Sequence, residues 1–199
     1  MKQAIKAVIF DAGGVITEWK QPLTQFFNEL NVTVEDWLAA VAPDEETANK
    51  GLLEPDRYFK RIMKRLGCSD QWLKLKEVFP GSFGRIEETF ALLEELQGSF
   101  RLALLTNAVL GSVDQLDRKC DHKKYFEIII DSSAVKMVKP DKKIFLLTCR
   151  RLGLKPQECL FVDDDEKNIK VAQKLGFQTV HFTAPKTGVA LVKKKLGLR

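Results

Sequence analysis

An α/β fold, a doubly wound parallel sheet with a small helical insertion, is predicted by three observations. Five short apolar or β-branched runs read as strands: Lys6 to Phe10, Arg101 to Thr106, Glu127 to Asp131, Cys159 to Asp163 and Thr179 to Phe182. Helical patterns alternate with them from Ile86 onward, as a parallel sheet with crossover helices requires. Between about Lys20 and Gly84 the alternation stops and only helical patterns occur.

The first strand ends abruptly in Asp11, followed by Gly13 and Gly14. A carboxylate at the mouth of a buried strand is costly unless it is paired or working, and glycines let backbone approach a ligand closely. A capped turn explains the same residues equally well. The insertion follows, with helical patterns at Leu23 to Leu30, Val34 to Val41, Arg57 to Leu66 and Gln71 to Val78, and with Pro80, Gly81 and Gly84 as the return hinge. Its position places it over the crevice at the carboxyl ends of the strands, where such sheets bind ligands. Phe26, Phe27, Trp37, Tyr58, Phe59 and Trp72 give it a small core of its own, since helices of this length need packing partners.

The sheet then resumes. Ile86, Phe90, Leu93 and Leu96 lie on one helical face, and the helices predicted over Lys142 to Leu152 and Glu166 to Leu175 are closed by Gly153 and Gly176, where a helix stop is expected. Three further strand ends deliver polar groups: Thr106 and Asn107 after LALLTN, Lys139 within KMVKPD, and Asp163, Asp164 and Asp165 in LFVDDD. Each has a plain alternative as a helix cap or surface residue. Their joint occurrence, in order, at the ends of separate strands favours one shared site.

Composition narrows the class. The 199 residues are 45% hydrophobic and 30% charged, without repeats or biased tracts, as in ordinary soluble globular chains. MKQAIKAVIF has too short an apolar run for a signal peptide and no stretch approaches a membrane span, so a cytoplasmic location and no membrane partner are expected. Cys68, Cys120, Cys149 and Cys159 are too scattered for a zinc site or a disulfide framework and read as packing thiols. The 32 basic against 27 acidic residues suit an anionic ligand. Their densest cluster, Lys193 to Lys195, lacks interleaved aromatics, so no nucleic-acid partner is expected.

VIFDAGGVIT, LLTN, VKPDKKIF and FVDDDEKNI, in this order over nearly the whole chain, resemble the four motifs of the haloacid dehalogenase-like hydrolase superfamily, in its branch with a helical cap. The resemblance implies a Rossmann-like core at 1–17 and 85–199, a cap at 18–84, and a magnesium-dependent phosphohydrolase acting on a small phosphorylated molecule. It makes Asp11 the nucleophile that forms an aspartyl phosphate, and Thr106, Asn107 and Lys139 the phosphate-binding groups. Mg2+ falls to Asp11, Asp164, the backbone carbonyl of Gly13 and Asp163. Asn168 would tie down the acidic loop.

Two positions depart from the pattern. Gly13 stands where most phosphatases of the family carry a second Asp, the general acid and base, a group that contributes about 100-fold to 10,000-fold. Esters with good leaving groups should suffer least, and Glu18 or a cap residue is a candidate substitute. Lys136 stands where a glycine is usual, either facing solvent or adding positive charge near the acidic loop. Two alternatives stay open: a metal-independent 2-haloacid dehalogenase, which also lacks the second Asp, and a non-catalytic module binding a phosphorylated ligand or protein. Among the cap's polar residues, Glu18, Asn49, Arg57 and Lys60 are candidates for substrate contact.

Overall fold

The computed structural model describes residues 4–18, 21–81 and 84–198. In chain order the elements are β1 (Ala7–Phe10), β2 (Thr17–Glu18), α1 (Gln21–Glu29), α2 (Val34–Asn49), α3 (Pro55–Arg65), α4 (Trp72–Gly81), β3 (Gly84–Arg85), α5 (Glu87–Leu96) and β4 (Arg101–Thr106). There follow α6 (Ser112–Cys120), β5 (Ile128–Asp131), α7 (Ser132–Val135), α8 (Lys142–Leu152), β6 (Cys159–Asp163), α9 (Glu166–Lys174), β7 (Gln178–His181) and α10 (Pro185–Leu196).

Five strands form a parallel sheet in the order β5-β4-β1-β6-β7. This is an α/β Rossmann-like fold. Successive residues of β1 serve opposite faces, as strand pleating demands. Val8 and Phe10 join a core with Phe90 of α5, Leu116 of α6 and Val192 of α10. Ala7 and Ile9 join the other core, with Phe145 of α8 and Ile169 of α9. All four β1 side chains are fully buried, and each large one contributes about 1.5–3 kcal/mol through that burial. The chain leaves β1 toward β4 on one side and returns to β6 on the other, so the order reverses at β1 and opens a crevice beyond its carboxyl end.

Helices α1 to α4 fill the interval between β2 and β3 and carry a third core, containing Phe26, Phe27, Trp37, Tyr58 and Phe59, with Trp72 partly buried against it. Val109, from the loop after β4, packs into this same core. Three features differ from the sequence expectation. Helix α2 runs through Pro43 to Asn49 rather than ending near Val41. An interior proline costs about 3 kcal/mol. Burial of Trp37, Ala40, Val41, Asp44 and Ala48 along one stripe, with Asp44 paired to Arg61 and Arg65 of α3, outweighs it.

Pro80 and Gly81 belong to the end of α4 rather than to a hinge. Gly84 lies in a two-stranded antiparallel ribbon, where it pairs with Glu18 while Arg85 pairs with Thr17; these strands were too short to leave a periodic signal. Among the described residues, no helix is long and apolar enough to cross a membrane.

Candidate active site

Asp11 is the first residue beyond β1, and its backbone N–H donates to the Val162 carbonyl at 2.9 Å, which ties it to β6. The chain then closes a tight loop. The Ala12 carbonyl accepts from the N–H of Ile16 at 2.9 Å and of Thr17 at 3.0 Å, while the Gly14 N–H donates to the Thr17 carbonyl at 2.8 Å. Gly14 sits at φ +72°, and a Cβ there would collide with the Asp164 carboxylate. Both constraints require glycine at 14. Gly13 keeps a φ outside the left-handed region.

Lys139 reaches the same point from the loop before α8. Its ammonium lies 2.7 Å from Asp11 Oδ1 and 2.7 Å from Asp163 Oδ2. The Asn107 side chain fixes the lysine backbone at two points: Nδ2 donates to the Lys139 carbonyl at 2.9 Å, and the Lys139 N–H donates to Oδ1 at 2.8 Å. Thr106, the last residue of β4, is buried beside them.

Asp163 is fully buried and all its acceptor positions are engaged. Oδ1 accepts from the Asp165 N–H at 2.8 Å and from Asn168 Nδ2 at 3.0 Å. Oδ2 accepts from Lys139 at 2.7 Å and from Asn168 Nδ2 at 3.1 Å. Asp165 takes the plainer role considered for it, accepting from the Lys167 N–H at 2.7 Å as the cap of α9.

One carboxylate oxygen from each of Asp11, Asp163 and Asp164 lies within 4.8 Å of the others. Burial pushes the Asp11 carboxyl up to about 7; the Lys139 ammonium opposes this, while the charges of Asp163 and Asp164 add to it. Lys139 is itself desolvated, yet Asp11 and Asp163 hold its pKa above the ordinary lysine value. Three acids against one ammonium leave excess negative charge in a buried place. A hard divalent cation fits that deficit and that all-oxygen donor set.

A cavity of about 610 Å3 opens above this cluster. Asp11, Gly13, Thr106, Asn107, Lys139 and Asp164 line it at the strand ends, with Asn49 and Tyr58 facing them from the insertion. The arrangement brings a buried carboxylate, an ammonium paired to it and a cluster of three acids to one mouth of one cavity.

The sequence profile described as "Hydrolase: haloacid dehalogenase-like hydrolase" matches residues 5–176. The chain belongs to the haloacid dehalogenase-like hydrolase family. It is therefore a hydrolase. Among its relatives, it is 26% identical over 189 residues to "Sesquiterpene phosphatase astK" of Aspergillus oryzae, covering 92% of each chain. It is 26% identical over 170 residues to "Phosphoglycolate phosphatase" of Salmonella typhi, covering 81% of this chain and 66% of that one. The chain spans 7% of one further, much longer relative. A haloacid dehalogenase family enzyme from Bacteroides thetaiotaomicron, solved with magnesium and inorganic phosphate, superposes with a TM-score of 0.73 at 25% identity, covering 88% of this chain and 93% of that one.

The fold of this family member brings Asp11, Gly13, Thr106, Asn107, Lys139, Asp163 and Asp164 together at one mouth. Asn49 lines the cavity, whereas Glu18, Arg57 and Lys60 are not among its described lining residues. Glu18 is exposed in the ribbon, and Lys60 lies over the Trp72 ring at 4.2 Å. Lys136 is exposed, as one of its two readings expects, and at φ 58° it also donates from Nζ to the Gly51 carbonyl of the insertion at 2.9 Å. Beside it the Ser132 hydroxyl donates to the Asn49 carbonyl at 2.6 Å. Sequence reasoning missed this pair, the Asn107 side-chain clamp and His122, a fully buried residue on the cavity wall. A partnership between distant loops leaves no local pattern to read.

Proposed function

We propose that this hydrolase is a magnesium-dependent phosphohydrolase that acts on a small phosphate monoester through an aspartyl-phosphate intermediate on Asp11. One observation carries the reading: one carboxylate oxygen from each of Asp11, Asp163 and Asp164 lies within 4.8 Å of the others, with the Lys139 ammonium paired to the first two. Dehalogenation needs no metal, and stacking Asp164 beside the nucleophile without a cation is costly. The phosphatase names of two relatives and the magnesium–phosphate complex of the Bacteroides enzyme support the same direction.

In this reading an Asp11 oxygen attacks phosphorus, and an O–P bond forms as the bond to the leaving oxygen breaks. The electron pair departs with that oxygen. Water then attacks the phosphorus of the acyl phosphate: a new O–P bond forms as the bond to the Asp11 oxygen breaks, and the carboxylate is restored. One water proton stays on the inorganic phosphate and the other neutralises the leaving oxygen released in the first step. The Thr106 hydroxyl and the Asn107 backbone N–H donate to phosphoryl oxygens, and Lys139 balances the charge that gathers there. Magnesium, when bound, supplies positive charge to the phosphoryl group. Asp11, Asp164 and the Gly13 carbonyl would hold it. Asp163, engaged by Lys139, Asn168 and the Asp165 N–H, adds charge to that set while positioning the lysine. The insertion, residues 18–84, serves as the cap over a core of 1–17 and 85–199. With no side-chain acid at Gly13, turnover falls as the leaving group becomes more basic.

The test is phosphate release from an aryl and an acyl phosphate, with Mg2+ and with chelator, using Asp11→Asn as the blank. Release that needs both Mg2+ and Asp11 is expected. Undiminished release with chelator, or from the variant, would overturn the reading.

A further inference from the structure

The cavity extends well beyond the carboxylate cluster, and its outer walls differ from its floor. From the insertion it is lined by Trp37, Leu38, Val41 and Phe79. Between the sheet and α6 it is lined by Leu104, Val113 and Leu116. Leu38, one of these lining residues, remains 48% exposed in a folded chain. At about 610 Å3, the space has the size of sites that enclose small organic ligands.

The charges on these walls point the same way. Among the described lining residues, Lys139 is the single Lys or Arg, and its ammonium is already shared by Asp11 and Asp163. Glu45, Asp165 and Glu166 also line the cavity. A ligand carrying a carboxylate or a second phosphate beyond the reacting one would meet several like charges there, and the lining His181 is tied to the Asp164 carbonyl at 3.0 Å. His122 offers no counter-charge from the surface of the wall: it is fully buried, and burial disfavours its charged form.

Resting on the phosphohydrolase reading above, we propose that this chamber receives the organic group of the phosphate ester, and that the group is uncharged and predominantly apolar. Phosphate is held at the strand ends, and affinity and selectivity come from desolvating the alkyl or aryl remainder between α6 and the insertion. Each methylene buried there is worth roughly a 3- to 4-fold gain in kcat/KM.

The experiment measures kcat/KM of the full chain with Mg2+ for a series of n-alkyl phosphates from ethyl to decyl, and for the same chains ending in a carboxylate. The expected result is a rise with chain length until the chamber is full, and a loss of at least about tenfold on adding the terminal carboxylate. Leu38→Asp should lower the ratio of the decyl to the ethyl value by about tenfold or more. A flat series, or a preference for the carboxylate-ended esters, would overturn the proposal while leaving the phosphohydrolase intact. If none of these alkyl esters, whose leaving groups are the most basic, is hydrolysed, the aryl and acyl phosphates above still decide the phosphohydrolase reading, and calorimetric titration with decyl and ethyl phosphonate decides the chamber separately. Tighter binding of the decyl compound, with a negative heat-capacity change, supports an apolar chamber; equal binding of the two overturns it.

Discussion

The two walls of the cavity are built by different means. At the strand ends each polar side chain is held by several others: Asp163 by Lys139, Asn168 and a backbone N–H, and Lys139 by two carboxylates and the Asn107 amide. The insertion wall is mainly apolar, with Glu45, Asn49 and Tyr58 among its lining residues; it is backed by its own core, and meets the other wall through the Ser132–Asn49 and Lys136–Gly51 hydrogen bonds and the packing of Val109. Dense satisfaction fixes atoms where bonds are made and broken. An apolar wall accommodates a range of shapes and selects by desolvation. Substitutions on the first wall should therefore act on kcat, and those on the second on KM.

The sharpest way to break that contrast is Asp11→Asn, which should lower turnover by at least about 1,000-fold and leave the far-ultraviolet spectrum unchanged. Lys139→Met comes next. It leaves Asp11 and Asp163 facing each other without their cation, and breaking such a buried arrangement costs about 3–5 kcal/mol; urea denaturation reads the loss together with inactivity. Asn107→Ala releases the lysine clamp without touching a charge, so kcat should fall by up to about 100-fold while KM moves far less. A KM effect alone would show that the amide contacts ligand rather than positioning Lys139.

Behind the insertion wall, where Asp44 joins α2 to α3, the expected effect is on folding instead. Burial pushes the Asp44 carboxyl up, but hydrogen bonds and charge from Arg65 and Arg61 outweigh this and hold it below the ordinary aspartate value. Its stabilisation is therefore present above the unfolded-state pKa and lost as pH falls through the folded one. Both arginines are about a third or more exposed, so Asp44→Ala should cost only about 1–2 kcal/mol, seen as an earlier thermal transition.

The smallest effect belongs to His122. Burial lowers its pKa, Asp117 at 3.4 Å and Asp121 favour its charged form, and Lys123 opposes it. The unfolded chain thus binds the proton more readily, so stability is lost as pH falls below about 6.5. His122→Phe should flatten that part of the curve of Tm against pH, and an unchanged slope would assign it to another group.

Much of the first wall was legible in the sequence, because its functional groups lie at or just beyond the ends of β-strands, except Lys139, which comes after α7. Apolar runs ending in Asp11, Thr106 and Asp163 state both the strand and the point where it stops being buried. The insertion was legible as helices but not as a surface. Trp37 and Tyr58 belong at once to its core and to the cavity lining, and periodicity registers only the first. Pro43 hid the second half of α2, because its cost is offset by Asp44 meeting α3, a tertiary fact. Lys136 shows the same limit: its left-handed backbone accounts for the glycine usual there, but its hydrogen bond to Gly51 joins residues far apart in sequence.

The most direct test of the central claim is to quench the enzyme in acid during turnover of an aryl phosphate with Mg2+ and to map the modified peptide by mass spectrometry. A phosphoryl group on Asp11, absent with chelator and absent from Asp11→Asn, is the predicted result. Steady release of phosphate with Asp11 unmodified at every quench time, undiminished in Asp11→Asn, would contradict it.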